Sequence, residues 1–481
     1  MSLSKTINNI FTEYWSRKVI TFGLLFFSLS ILPNSYSMNL VEAYESALKN
    51  DSQYQVAYAE YKAGLQFVKI GRGGLLPQIN ATGSRQERDA DSEGIFPITL
   101  DQDQDPATPE TRALRTVESE TDVTTERWSV SLVQPIFDSS KWFDYKRGHY
   151  QTEQSKHQLK ADQHNLLLRV INAYFDVLRA DDNAELAKKL EQADKNQLSN
   201  ATKRAKTGAN AQVDVYQSQA AYDASLANRL NEEDILGKTR DDLYLITGDF
   251  ADPLWRLQPD FSALPFENDS LDAWMEKAQV NNPSIKAARA SKEAARAAFK
   301  AARSGHVPTL YAELSYSDTD SQTSEIDNGQ DFDYDSRDKD TAISINATIP
   351  LYSGGITSAQ SRQLKYQYEA AEESYRGILL DVERQITTLY RSIDTQENRI
   401  LANKKAVSSS KNALNAIQKG YSTGIHDVND LLSAQRDYYS ALRAFNNAKY
   451  DYLLKVMELK FAVGLINPSD LYLLNNYLVR Y

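Results

Sequence analysis

The chain has 481 residues, no cysteine and a formal net charge of −11, from 65 acidic and 54 basic side chains. Without thiols it has no disulfide, no thiol catalyst and no cysteine for lipid attachment. The acidic balance argues against a nucleic-acid partner, which needs a basic face.

Residues 1–37 read as a signal peptide. Lys5, Arg17 and Lys18 lead into the apolar run Val19–Leu32, and Ser35-Tyr36-Ser37 offers small residues, so cutting after Ser37 is expected. The run is short beside the roughly 20 residues of a membrane anchor. No later stretch is long and apolar enough for a transmembrane helix, so a membrane crossing by the exported chain requires a closed β-barrel, in which every backbone group is paired.

The remainder is written twice. A shift of 231 carries Leu40–Ser84 onto the region Leu271–Ser315, matching Ala47 with Ala278, Asn50 with Asn281 and Pro77 with Pro308. Shifts of 215 and 216 then pair Arg169 with Arg384, Gly208 with Gly424, Asp214 with Asp430 and Gly248 with Gly464. Such duplication implies a pseudo-twofold unit.

In chain order, each unit reads helix, strand, loop, strand, long helix, half-length helix. The first helix occupies 38–76, with Pro77 as its stop. Strands follow in 77–137, where Trp128, Val130 and Leu132 alternate with serines. Between them Asp89–Thr125 carries ten carboxylates against two arginines, which reads as a solvated outer loop. Segment 138–248 holds a helix from Asp138 to Thr207 with no proline, about 100 Å long, then a half-length helix to Thr247. After a linker at 249–270 the pattern repeats: a helix in 271–307, strands with a second acidic loop in 308–352, helices in 353–464 and a closing segment 465–481. In that second copy Ile343, Ile345 and Ala347 alternate with polar residues.

Two half-length helices laid end to end match one long helix, which suggests a column. Leu431, Gln435, Tyr438, Leu442, Phe445, Lys449, Tyr452, Val456, Leu459 and Val463 step by fours and threes, the seam of a coiled coil. Four strands cannot close a barrel, since about eight is the minimum. Two copies would supply eight strands and three would supply twelve, and length alone leaves both open.

The runs Asp101–Asp105 and Asp331–Asp335 alternate like the start of a calcium loop but lack its glycine and closing glutamate, so surface charge is the expected role. None of the five histidines forms a zinc-helix pair, and no nucleophile elbow or phosphate loop occurs. No enzyme, metal or cofactor is expected.

Several motifs together resemble the TolC family of outer-membrane channel-tunnels, over about Met38 to Leu478. They are Leu75-Leu76-Pro77-Gln78, Ile136-Phe137-Asp138-Ser139-Ser140-Lys141-Trp142, Ala173-Tyr174-Phe175-Asp176-Val177-Leu178, Ile349-Pro350-Leu351-Tyr352-Ser353-Gly354-Gly355 and Gly420-Tyr421-Ser422-Thr423-Gly424 followed by Asp430. The resemblance implies a mainly α protein with a transmembrane β portion. It would be a homotrimer whose 12-stranded barrel, four strands per chain, continues into a long α-helical coiled-coil barrel in the periplasm. It also implies a passive exit duct for efflux or type I secretion in the outer membrane lipid, working with a periplasmic adaptor and an inner-membrane pump or ABC transporter. The rival is a periplasmic coiled-coil scaffold without a pore.

The family's periplasmic gate falls on Asp214, Tyr421, His426 and Asp430, with the tip turns at Gly208 and Gly424. Two positions depart from the family pattern. His426 stands where the family has an arginine, and Ser433 where it has a second ring aspartate; Asp427 is a candidate replacement carboxylate. Capping of the returning helices is the plainer role for Asp214 and Asp430.

Overall fold

The computed structural model describes residues 37–100, 111–207, 212–250, 253–259, 261, 269–327 and 330–480. The leader, Gly208 and the run Asp101–Asp105 lie outside them.

The long helices define the molecule's height. Helix α4 (Ser139–Lys206) and helix α8 (Ile356–Thr423) each run 68 residues, or about 100 Å. Each is followed by a 36-residue return, α5 (Gln212–Thr247) and α9 (Val428–Val463). Asp138 starts α4 by taking the Lys141 N–H at 3.1 Å. Along α9 the four–three seam is buried or half-buried throughout.

The first helix of each copy is broken where the sequence suggests continuity. The stretch from Leu40 divides into α1 (Leu40–Asn50), α2 (Ser52–Gly64) and α3 (Phe67–Gly73), and its copy into α6 (Leu271–Asn281) and α7 (Pro283–Arg303). The cause is a polar residue in extended backbone at equivalent places. Asp51 accepts the Tyr54 N–H at 2.7 Å and Asn282 accepts the Ile285 N–H at 3.1 Å, so each restarts a helix. Asp51 also receives both arms of Arg169, at 2.8 and 3.0 Å, whereas the Asn282 amide donates to the Ala462 carbonyl at 2.7 Å. Beside these breaks the returning helices end on Gly248 (φ 74°) and Gly464 (φ 81°), in a left-handed conformation that glycine adopts without strain. A Cβ at Gly248 would meet the Asn50 side chain at 2.8 Å, and one at Gly464 would meet Asn282 Cα at 2.6 Å. The duplication is therefore visible as one repeated joint.

That joint lies in the belt where the linker and closing segment meet. Strand β3 (Arg256–Leu257) pairs with β6 (Leu478–Val479), and α10 (Pro468–Asn475) packs beside α1. The buried Tyr174 hydroxyl lies 3.1 Å from the carbonyls of both Met38 and Trp255, joining α4 to the start of the chain and to the linker.

The sheet departs further from expectation. Strands β1 (Gln78–Leu100), β2 (Thr111–Phe137), β4 (Thr309–Asp327) and β5 (Gln330–Thr348) form one antiparallel sheet in the order β1-β2-β4-β5. Most of both acidic segments read as loops is strand. Period-two alternation persists through the acidic residues, and backbone pairing in water does not require apolar side chains. Cross-strand pairs such as Arg85–Glu126 (3.1 Å) and Asp318–Arg337 (2.8 Å) support it. Pro135 is accommodated at a register shift.

The register sorts the two faces. One row across the sheet is Ile79, Leu132, Leu314, Ile343; the next is Ala81, Val130, Tyr316, Thr341. Below them Gln134, Ala312 and Ile345 share a row. Above them Trp128 and Tyr316 meet with ring centroids 5.2 Å apart, and Arg85, Glu126, Asp320 and Arg337 form the first fully charged row. On the opposite face the rows are polar, for example Asn80, Ser131, Ser315, and Thr82, Ser129, Ser317. Ile343 is 81% and Ile345 70% exposed, so the apolar face is bare in the isolated chain.

Candidate functional site

The turn between α8 and α9 is built from backbone constraints. Gly424 caps α8 at φ 80°, a conformation that favours glycine, and its N–H reaches back to the carbonyls of Gly420 and Tyr421. Asp427 is the N-cap of α9, accepting the Asp430 N–H at 2.9 Å. Capping therefore belongs to Asp427 rather than to Asp430. The Asp430 carboxylate turns instead to His426, with Nδ1 and Oδ2 2.9 Å apart. The ring sits against the last turn of α8, where a Cβ on Gly420 would fall 2.4 Å from His426 Cδ2.

Tyr421 joins this turn to α4. Its hydroxyl accepts from the Gln197 amide at 2.9 Å, and the Arg204 guanidinium lies 5.5 Å from its ring. Asp214 stands in the first turn of α5, half-buried. Ser433 is exposed and accepts from Arg436 at 3.2 Å. The structure thus brings His426, Asp427, Asp430 and Gly424 into one turn and ties Tyr421 to α4. It leaves Asp214 on a neighbouring helix start.

Sequence reading missed a polar seam above this turn. Asn183, Ala187, Leu190, Asp194, Gln197 and Ala201 of α4 step by fours and threes, the same spacing that marks α9. Asn183 and Asp194 line a cavity of about 300 Å³ between α4, α5 and α9, together with Ser225, Asn228, Arg436 and Arg443. Asp194 is 2% and Asn183 8% exposed, and the Oδ1 atom of each has no hydrogen-bond partner among the described residues. Burial pushes the Asp194 carboxyl up to about 6, partly offset by Ser225 and Arg436. Farther along α4, burial pushes His164 down to about 4, keeping the ring neutral. Higher in the seam, burial lowers Lys449 and raises Asp182, whose carboxylate accepts the Tyr450 hydroxyl at 2.8 Å. Among the described residues no cluster of histidine, aspartate and glutamate has the makings of a metal site.

A helical column above a polar turn is joined to a sheet with one apolar and one hydrophilic face. The model of outer membrane efflux proteins matches residues 43–249 and 274–465. The outer membrane protein TolC of Vibrio cholerae is 30% identical over 435 residues, covering 90% of this chain and 92% of its own. The alkaline protease secretion protein AprF of Pseudomonas aeruginosa is 26% identical, covering 95% and 90%. Among solved structures, the outer membrane protein VceC of Vibrio cholerae aligns with a TM-score of 0.69 at 18% identity, covering 88% of this chain and 96% of its own. The chain belongs to the outer membrane efflux protein family. It is an outer-membrane exit duct of the kind that serves efflux and secretion systems.

Proposed function

We propose that three copies pool their sheets into a single twelve-stranded barrel, with the helices hanging beneath it as a periplasmic column. The observation that carries the pooling is the sheet itself, while the count of three follows the family resemblance. Four strands with unpaired edges at β1 and β5 have an apolar face on one side and polar rows on the other. Exposed edges cannot persist in lipid, so β1 of one copy has to pair with β5 of the next. The apolar rows would meet outer-membrane lipid and the polar rows a water-filled lumen. Trp128 and Tyr316 suit the membrane boundary, where aromatic rings concentrate.

The tip turns would form the gate, with Asp430 of each copy placed around the axis and Tyr421 holding the turn against α4. Asp427 is already committed to capping, which makes it a weaker candidate for a ring carboxylate. An adaptor in the periplasm and an inner-membrane pump or ABC transporter would open the duct and supply the energy. The duct itself would catalyse nothing and need no cofactor. AprF is named for protease secretion, which favours a protein-export role beside efflux.

Planar-bilayer recording of the purified protein tests the gate. A cation-preferring conductance is expected, rising in the Asp430→Ala, Tyr421→Phe double variant. Absence of any conductance, together with solubility as a monomer without detergent, would favour the poreless scaffold. Deleting the gene and assaying drug sensitivity and exported protease in parallel would identify the cargo.

A further inference from the structure

We propose that His426 sets the ionic preference of the exit and that this setting follows pH; the inference rests on the reading of the α8–α9 turn as the constriction. The ring is held from two directions. Gly420 receives it on one side, since any Cβ there would fall 2.4 Å from Cδ2. On the other side Nδ1 lies 2.9 Å from Asp430 Oδ2, one helical turn away. The cap formed by Asp427 on the Asp430 N–H, at 2.9 Å, fixes the geometry of that turn.

The charged partner of the ring is Asp430 of α9, with the N-cap Asp427 next to the histidine in sequence and Tyr421 following Gly420 on α8. Tyr421 in turn carries the Arg204 guanidinium of α4 at 5.5 Å from its ring. A neutral imidazole donating its Nδ1–H leaves Asp430 with its full negative charge. A protonated imidazole makes an ion pair with the same oxygen and cancels that charge. Histidine is the side chain whose charge ordinarily changes between about pH 5 and 8. The pair is half exposed, so its contribution to stability is small. Its contribution to the field in a narrow, threefold-repeated aperture is not, because like charges gathered there concentrate counter-ions. The family's arginine would hold the pair charged at every pH; histidine makes it conditional.

Reversal potentials in a potassium chloride gradient across a planar bilayer, recorded at about pH 8 and about pH 5, test this. For the intact trimer, cation preference is expected to fall severalfold on acidification. His426→Gln should keep the high preference at both pH values, and His426→Arg the low one. A pH response of unchanged size in His426→Gln would overturn the inference and assign the response to other carboxylates. Asp430→Asn separates the two levels of the argument. If it leaves ion preference untouched at both pH values, the turn is not the constriction and the gate reading fails with the inference. If it abolishes the preference while His426→Gln still responds to pH, only the role of His426 is lost.

Discussion

His164 and Asp194 are buried on the same helix, and burial moves them in opposite directions. His164 is held down at about 4, so the unfolded chain binds its proton more readily. Its contribution is therefore complete above the ordinary histidine range and is lost as pH falls toward 4. Asp194 is held up at about 6, so the folded chain binds its proton more readily, and stability falls as pH rises from the usual carboxylate range through 6. Melting curves followed by circular dichroism across this range should separate them. His164→Gln is expected to remove the acid-side loss, and Asp194→Asn to raise the melting temperature at neutral pH; no change in either slope would refute the assignment. Removing the carboxylate that holds Arg169, in Asp51→Ala, should cost about 3 kcal/mol by stranding a partly buried guanidinium and deleting a cap. At this scale the sequence was legible where a residue type dictates geometry, as with Gly424. It was illegible where burial decides: Asp194 sits in the same four–three spacing as α9, yet spacing alone does not say which seam faces a cavity.

Among the elements, the first long helix was readable to within a residue, because an unbroken run without proline leaves few alternatives. The break at Asp51 was not, since aspartate also occurs inside helices and only its extended backbone reveals it as a cap, whereas Asn282 is followed by Pro283, a helix-start signal in the sequence itself. Gly464→Ala should cost about 1–3 kcal/mol, because it adds strain at positive φ and crowds Asn282. The strands run beyond their apolar alternation because acidic residues join a hydrogen-bonded ladder as readily as a loop. Hydrogen exchange provides the check: amides of Glu120–Glu126 and Asp331–Asp340 should be protected as ladder members, and exchange at the free-loop rate would contradict the hairpins. Strand β2 runs 27 residues, whereas about 9–11 cross a bilayer, so the hairpins extend well beyond the apolar rows. Ile345→Arg, within those rows, should destabilise the barrel by about 2–4 kcal/mol and abolish heat-modified gel migration. Tyr334→Arg, on the polar face and beyond them, should leave migration unchanged.

For the whole molecule, duplication was the most legible feature, and it reappears as matched breaks, matched glycine caps and a sheet whose halves meet at β2 and β4. The number of copies was not legible. Four strands state only that the sheet is incomplete, and the choice of three rests on family resemblance. The central claim is that identical chains complete one another's sheet. A density map of the detergent-purified protein tests it most directly. The expected map has three chains around one axis, β1 of each paired with β5 of its neighbour, and a detergent belt at the level of Ile79, Leu132, Leu314 and Ile343. A sheet closed within one chain, or those side chains packed against protein with no detergent around them, would contradict it.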